Sequence, residues 1–285
     1  MTDQDHHYLP RFHLGQWCAA RGNVGVFSRP HAGKLVFSTK LTPKGTGFER
    51  NLYALRGAVP NQRHIIEATF FTPMIDTPAS EVMPKLLAGK VATITDGERS
   101  AFTRYVLSLR VRHPDAVAFT RKTGAPHFIE ELRKNPEEYK ALVNHLGADT
   151  LEDVVDREWP SLIHQDFGML TLPDLITDEK LGERLFRMPW WTHDVSKGKC
   201  NLLLGDRPVI IEGGLDKGPY IAITPLSPWK LLFICNHLPT IDRWRKMSHD
   251  EVAKAVNKAT VQCAASRVYA ADNRHEALVE KYLHA

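Results

Sequence analysis

Segments typical of strands and segments typical of helices occupy separate stretches of this 285-residue chain. Short apolar runs bounded by Gly, Pro and Asp occur over residues 1–60 and again over 196–240. A long helical stretch, 61–195, lies between them, and a helix over 246–285 follows. This grouping argues against a regular alternation of strands and helices with a parallel sheet. We therefore predict a single α+β domain over 1–285, in which N-terminal and C-terminal strands form a mixed or antiparallel sheet covered by the central helices.

Local signals place several elements. Thr95 precedes Glu98, and Ser248 precedes Glu251, in the spacing of a capping box, with apolar residues at helical intervals afterwards. Pro114 ends the first of these helices. The runs Val24–Phe27 and Lys34–Ser38 surround a segment with Pro and Gly, which predicts a hairpin. Further helices are predicted over 128–134, 137–146, 151–159 and 178–186.

Composition limits the function classes only moderately. The 37 basic and 33 acidic residues give a formal charge of +4, which permits a polyanionic partner without the dense basic stripe of a dedicated nucleic-acid binder. The four cysteines lie far apart, which argues against a zinc site or a disulfide framework and favours a reducing compartment. The start of the chain is polar, and no apolar run approaches the ~20 residues of a membrane span. We expect a cytoplasmic protein with no membrane partner.

Two adjacent histidines stand near the start of the chain, in His6–Phe12. A neutral imidazole can act as a base or ligate a metal near neutral pH, so this segment is a candidate site. The alternative is an edge strand, on which one histidine would be buried for structural reasons and the other exposed.

Three charged residues in apolar surroundings are further candidates. Glu67 lies within Ile65–Phe71, where it is a site residue, half of a structural ion pair or the exposed flank of a helix. Arg112 falls near the helical azimuth of Tyr105, so an acid, carbonyl groups or an anionic ligand must satisfy its guanidinium. Asp206 lies between two strand-like runs, either in a site at a strand end or in a plain turn.

Several short motifs together resemble an uncharacterised, mostly bacterial family catalogued as domain of unknown function 4238. Its hallmark H-H-Y-x-P-x-F-x-L is matched by His6–Leu14. Other matching segments are Arg112-His113-Pro114, Gly205–Pro208 with glycine in place of the serine of S-D-x-P, Pro225–Pro228 and Arg267-Val268-Tyr269. The matches span nearly the whole chain. The family carries no agreed activity, so the resemblance implies positions for a site rather than a reaction.

The mixture of histidine, acid and arginine at these positions predicts a hydrolase acting on phosphodiester or nucleotide substrates, for example a nuclease of a toxin or defence type. His7 would be general base or metal ligand, and Asp206 with Glu67 would orient it or bind a divalent cation. The substrate, a nucleic acid or a nucleotide, would be held by Arg112, Arg267 and His6. The cofactor stays open, with a divalent metal as one option.

A competing hypothesis is a non-catalytic binding module in which the same residues form a buried polar network. A third is a transferase that uses a nucleotide such as NAD, for which the sequence has no fingerprint.

Overall fold

The computed structural model describes residues 3–19, 21–29, 35–153, 166–216 and 218–284. The strands are β1 (Asp5–His7), β2 (Val24–Ser28), β3 (Phe37–Leu41), β4 (Phe48–Arg50), β5 (Trp190–Asp194), β6 (Leu204–Gly205), β7 (Ile210–Glu212), β8 (Ile221–Ser227), β9 (Lys230–Cys235) and β10 (Arg267–Ala270). The helices are α1 (Arg11–Leu14), α2 (Thr77–Leu87), α3 (Asp96–Val111), α4 (Pro114–Arg133), α5 (Pro136–His145), α6 (Leu172–Thr177), α7 (Glu179–Arg187), α8 (Leu238–Lys246), α9 (His249–Cys263) and α10 (Glu276–Tyr282), with a π-helix over Ile66–Asp76. In these described ranges, no helix is both long and apolar enough to cross a membrane.

The described strands form three antiparallel sheets. Their orders are β1-β4, β3-β2-β10-β6 and β5-β9-β8-β7. In the second sheet the N-terminal strand β2 pairs with the C-terminal strand β10, which confirms the predicted sheet and shows that it is antiparallel. The π-helix, α2 and α3 share one apolar core with residues of β8, β9 and β10, so the central helices cover the strands as expected.

The predicted local signals are borne out at several boundaries. Both capping boxes are present, at Thr95 before α3 and at Ser248 before α9. α3 ends at Val111, and Pro114 then occupies the first position of α4, where its missing N–H costs nothing. β2 and β3 form the predicted hairpin. Its connection at residues 30–34, and most of the helix predicted over 151–159, lie outside the described residues.

Two strands occupy segments predicted to be helical. β5 falls within 61–195 and β10 within 246–285. β10 is four residues long and pairs on both sides, with β2 and with β6. Because such a strand is defined by distant partners, its own local pattern carries little of the signal.

Buried hydrogen bonds fix the N-terminal segment to the C-terminal strands. The Nδ1 atom of His13 lies 2.8 Å from the Tyr105 hydroxyl, and its Nε2 atom lies 2.7 Å from the Pro225 carbonyl oxygen. A carbonyl can only accept, so Nε2 carries the proton and Nδ1 accepts from Tyr105. The Trp17 indole donates to the Leu202 carbonyl at 2.9 Å. These contacts hold β1 and the residues after it against the rest of the fold.

Candidate functional site

The two histidines of β1 project to opposite faces of the strand, as strand geometry requires. His6 is 1% exposed. Its Nδ1 atom accepts the Tyr53 N–H at 2.8 Å, and its Nε2 atom lies 3.0 Å from Nδ1 of His64. Burial, together with the neighbouring His64, lowers the pKa of His6 to about 4. The sequence predicted that His6 contacts substrate, but both of its ring nitrogens are engaged within the protein.

His7 lines an open cleft of about 400 Å³. Its Nε2 atom lies 3.2 Å from the Pro43 carbonyl oxygen, so Nε2 must be the protonated nitrogen. The neutral ring therefore keeps the lone pair on Nδ1 as a proton acceptor. Burial lowers the pKa of His7, and the bond to Pro43 offsets only part of this effect. The ring is thus neutral at pH 7 and able to act as a base.

The wall that faces His7 is formed by the π-helix and the start of α2. Glu67 and Thr72 lie five residues apart, and the Thr72 hydroxyl donates to Oε1 of Glu67 at 3.2 Å. The π-helix has i→i+5 hydrogen bonds, so residues at this spacing share one face. Oε2 of Glu67 is buried and has no hydrogen-bond partner in the structure as described. Burial raises the pKa of Glu67, and the Arg112 charge offsets part of the increase.

Two cations stand at the rim of the same cleft. Arg11 and Lys44 both line it and are exposed. Neither side chain makes a hydrogen bond or an ion pair with any described residue. The Arg11 charge contributes to the lowered pKa of His7, which places the two groups near each other. Sequence reasoning did not identify either residue, since an exposed cation in a loop or a short helix carries no distinguishing pattern.

Arg112 lies beneath the cleft and is 0% exposed. Its guanidinium donates to both Asp76 oxygens, at 2.7 and 3.1 Å, and to the His7 carbonyl at 2.8 Å. It also lies over the Phe71 ring, 4.5 Å from the centroid. Burial alone would lower the pKa of Arg112, but the Asp76 charge more than offsets this and keeps it charged. The guanidinium therefore forms a structural ion pair that ties β1 to the end of the π-helix.

Asp206 does not line the His7 cleft. It is 1% exposed, and its carboxylate accepts the backbone N–H groups of Ala265 at 2.7 Å, Ser266 at 2.8 Å and Arg267 at 2.8 Å. Burial acts to raise the pKa of Asp206, but the His113 ring and these N–H groups outweigh it, so the pKa is lowered. The carboxylate holds the turn between α9 and β10, and its oxygens are occupied by the protein itself.

Arg267 belongs to the same buried region as Asp206. Its guanidinium donates to the Tyr8 hydroxyl at 3.3 Å, and the Tyr8 ring packs edge-on against His113 with centroids 5.3 Å apart. The structure thus distributes the predicted site residues over three places. His7 and Glu67 line the cleft, Arg112 supports it from below, and the buried His6 and Asp206 and the half-buried Arg267 are engaged in contacts within the protein.

A divalent cation was one option that the sequence left open for the cofactor. Within the described ranges, no three His, Cys, Asp or Glu side chains are grouped as a metal ion would require. In the cleft, Asp76 is already engaged by Arg112 through both oxygens. The cleft residues therefore do not fit a metal centre, and we derive no step through one.

A family model described as a protein of unknown function (DUF4238) matches residues 5–274. The chain belongs to the DUF4238 family. Searches of curated proteins and of solved structures found no match.

The segments that suggested DUF4238 in the sequence meet in space. The backbone carbonyl of His7, in β1, accepts a hydrogen bond from Arg112. Tyr8, which follows His7, contacts Arg267. The Pro225 carbonyl contacts His13 in α1, the helix that follows β1. At Gly205, a side chain would bring Cβ within 3.3 Å of the Thr260 carbonyl oxygen. Glycine at this position therefore suits the close approach of β6 to α9. These segments contact one another around β1, next to the cleft.

Proposed function

We propose that the cleft between β1 and the π-helix hydrolyses phosphodiester or nucleotide substrates by general acid–base chemistry. The observation that supports this proposal is that one cleft contains two titratable groups whose pKa values are shifted in opposite directions. The pKa of His7 is lowered and that of Glu67 is raised. Environments that act in opposite directions on two groups in one cleft are typical of a base and an acid with separate roles.

In this mechanism, Nδ1 of His7 accepts a proton from a water molecule that attacks phosphorus. The bond between phosphorus and the leaving oxygen breaks, and Glu67 gives that oxygen its proton. The products are a phosphate monoester and an alcohol. Proton exchange with solvent then returns His7 to its neutral form and Glu67 to its acid form, which completes the cycle.

The cations of the cleft rim supply the electrostatic part of the proposal. Arg11 and Lys44 would contact the phosphate oxygens, where a guanidinium and an ammonium both stabilise developing negative charge. Arg112 is a positioning residue, because it contacts the His7 carbonyl and Asp76 rather than the open cleft. In this proposal the exposed cations hold the substrate, in place of Arg112, Arg267 and His6, for which we predicted that role from the sequence.

The test is hydrolysis by the purified full-length chain. Suitable substrates are bis(4-nitrophenyl) phosphate, labelled single-stranded DNA and RNA, and nucleotides, each with and without divalent metals. We expect His7→Ala and Glu67→Gln each to lower kcat by about 10²- to 10⁴-fold, the usual contribution of one general acid or base. Two exposed residues outside the cleft provide matched controls, His127→Ala and Glu81→Gln, and both should retain the wild-type rate. If the wild-type chain leaves every substrate intact, or if both cleft variants keep its rate, the proposal is wrong.

One observation favours the non-catalytic binding module as a second candidate. Both terminal nitrogens of Arg112, the Asp206 carboxylate and the His6 ring bond to protein groups, as in a fold-determining polar network. This candidate expects no hydrolysis by the wild-type chain and a marked fall in melting temperature for His7→Ala. The enzyme proposal expects a small fall, because the His7 ring makes one hydrogen bond, worth about 1 kcal/mol net.

A further inference from the structure

A second cavity, of about 310 Å³, lies between the segment after β4 and the first turns of α4. We call it the arginine pocket. Its charged lining consists of four arginines and one glutamate, namely Arg50, Arg56, Arg63, Arg121 and Glu49. The rest of the lining is largely apolar and includes Leu52 and Val117. The pocket therefore combines an apolar surface with an excess of positive charge.

One of these arginines is fixed in place by the protein. The Arg121 guanidinium donates to Oδ1 of Asp166 at 3.1 Å and to the carbonyls of Leu52 and Ala54 at 3.1 and 2.8 Å. Asp166 also accepts the backbone N–H of Arg56 at 2.8 Å, so this carboxylate is committed to Arg121 and to the backbone.

Arg56 has no such partner. Its side chain is exposed and makes no hydrogen bond or ion pair with any residue that the structure describes. Burial is the main cause of the lowered pKa of Arg121, and the Arg56 charge is the next largest cause. The two guanidinium groups therefore lie close together. Arg50 is only loosely paired, 3.9 Å from Asp5 and 74% exposed. Like charges gathered around a cavity are unfavourable unless an anion joins them.

We propose that the arginine pocket binds the phosphate group of a ligand whose organic part lies on the apolar surface. Guanidinium groups match phosphate oxygens in pairs of parallel hydrogen bonds, which Lys would not provide. The first turn of α4 borders the pocket at Pro114, so the positive end of that helix adds to the attraction. The pocket is separate from the His7 cleft, and this proposal does not rest on the chemistry proposed there.

The experiment is calorimetric titration of the full-length chain with pyrophosphate at low ionic strength. The protein Arg11→Ala/Lys44→Ala serves as background, because it lacks the cations of the His7 cleft and should still bind pyrophosphate. Adding Arg56→Ala to this background should weaken binding by about 10- to 100-fold, as expected for loss of a charge-assisted contact. Arg56 contributes only an exposed side chain, so the variant should fold. Arg21→Ala, which removes an equally exposed arginine elsewhere, should leave the affinity unchanged.

Three outcomes would overturn the proposal. The first is that the Arg11→Ala/Lys44→Ala protein does not bind pyrophosphate. The second is that adding Arg56→Ala does not change the affinity, and the third is that Arg21→Ala weakens binding as much as Arg56→Ala does. Two further titrations identify the source of the phosphate. If a nucleoside monophosphate binds as tightly as a single-stranded oligonucleotide in an Arg56-dependent manner, the ligand is a small phosphorylated molecule. If only the oligonucleotide gains affinity from Arg56, the ligand is a nucleic-acid backbone.

Discussion

Arg112 shows most directly how a single residue holds the cleft together. Arg112→Met removes a buried charge that satisfies both Asp76 oxygens and the His7 carbonyl. Breaking a buried pair on one side leaves the other charge uncompensated, so we expect a loss of about 3–5 kcal/mol in the free energy of unfolding. Urea unfolding followed by circular dichroism measures this loss. Arg110→Ala, at an exposed position two residues earlier, should change stability by less than ~0.5 kcal/mol.

Asp206 allows a second residue-scale prediction, which separates a structural role from a catalytic one. Asp206→Ala leaves the three N–H groups of the turn before β10 without their acceptor. A hydrogen bond to a charged group contributes about 1.5–3 kcal/mol, and three such bonds are lost, so we expect the variant to lose at least ~3 kcal/mol of stability. Its hydrolytic rate per folded molecule should equal that of the wild type. A variant of unchanged stability and lost activity would instead make Asp206 a catalytic residue.

Single residues could be recognised from the sequence as constrained, but not assigned to partners. A charged residue among apolar neighbours must be satisfied, which singled out Glu67, Arg112 and Asp206. The sequence left open whether protein or ligand satisfies them, because the answer depends on residues far along the chain. Asp76 is 36 residues from Arg112, and Ala265 is 59 residues from Asp206. Only the folded chain shows which contacts are internal.

The π-helix is the element on which the cleft depends, and its geometry could not be predicted from a period of 3.6 residues. The sequence indicated a helical segment from residue 61 but not the i→i+5 bonding that brings Thr72 to Glu67. One signal was present, since Pro73 lies inside the helix and cannot donate the usual backbone bond. π-helical turns are rare and frequently occur at functional sites.

Thr72→Val tests what this geometry contributes. The variant removes the hydroxyl that donates to Glu67, a bond that lowers the pKa of this carboxyl group. The pKa of Glu67 should therefore rise further. If Glu67 is the general acid, the limb of the kcat profile that reports Glu67 shifts to higher pH, while the limb that reports His7 stays in place. Ser80→Ala, which removes another hydroxyl from the cleft lining, should leave both limbs unchanged. A profile in which neither limb moves contradicts the role given to Glu67.

At the scale of the whole molecule, fold class was easier to predict than the arrangement of strands. The order of strand-like and helical segments predicted an α+β fold with an N-to-C sheet, and β2 paired with β10 confirms it. β10 itself was missed, because its strand character comes from β2 and β6 on its two sides. The division into three sheets likewise depends on pairings between distant segments, which local patterns do not encode.

Buried neutral histidines should make the whole molecule sensitive to mild acid. His6 and His13 both have a pKa of about 4 in the folded chain, against 6.5 for an unperturbed histidine. Between these values the unfolded chain binds up to two more protons than the native state, so stability is full above pH 6.5 and falls as the pH drops toward 4. Each histidine contributes a slope of up to about 1.4 kcal/mol per pH unit. The lowered pKa values of His7, His193 and His275 act in the same direction.

Urea unfolding at a series of pH values between 7.5 and 4.5 measures this slope. We expect His6→Gln to reduce the slope of the free energy of unfolding against pH by the contribution of about one proton, because one titrating ring is lost. This holds whatever the substitution does to the absolute stability. His127→Ala removes an exposed histidine and should leave the slope as it is in the wild type. A wild-type stability that stays level from pH 7 to pH 5 would mean that these rings accept protons without unfolding. In that case the hydrogen bonds that His6 accepts from Tyr53 and that His13 accepts from Tyr105 would not require neutral rings, and the N-terminal segment would not be the acid-sensitive part of the fold.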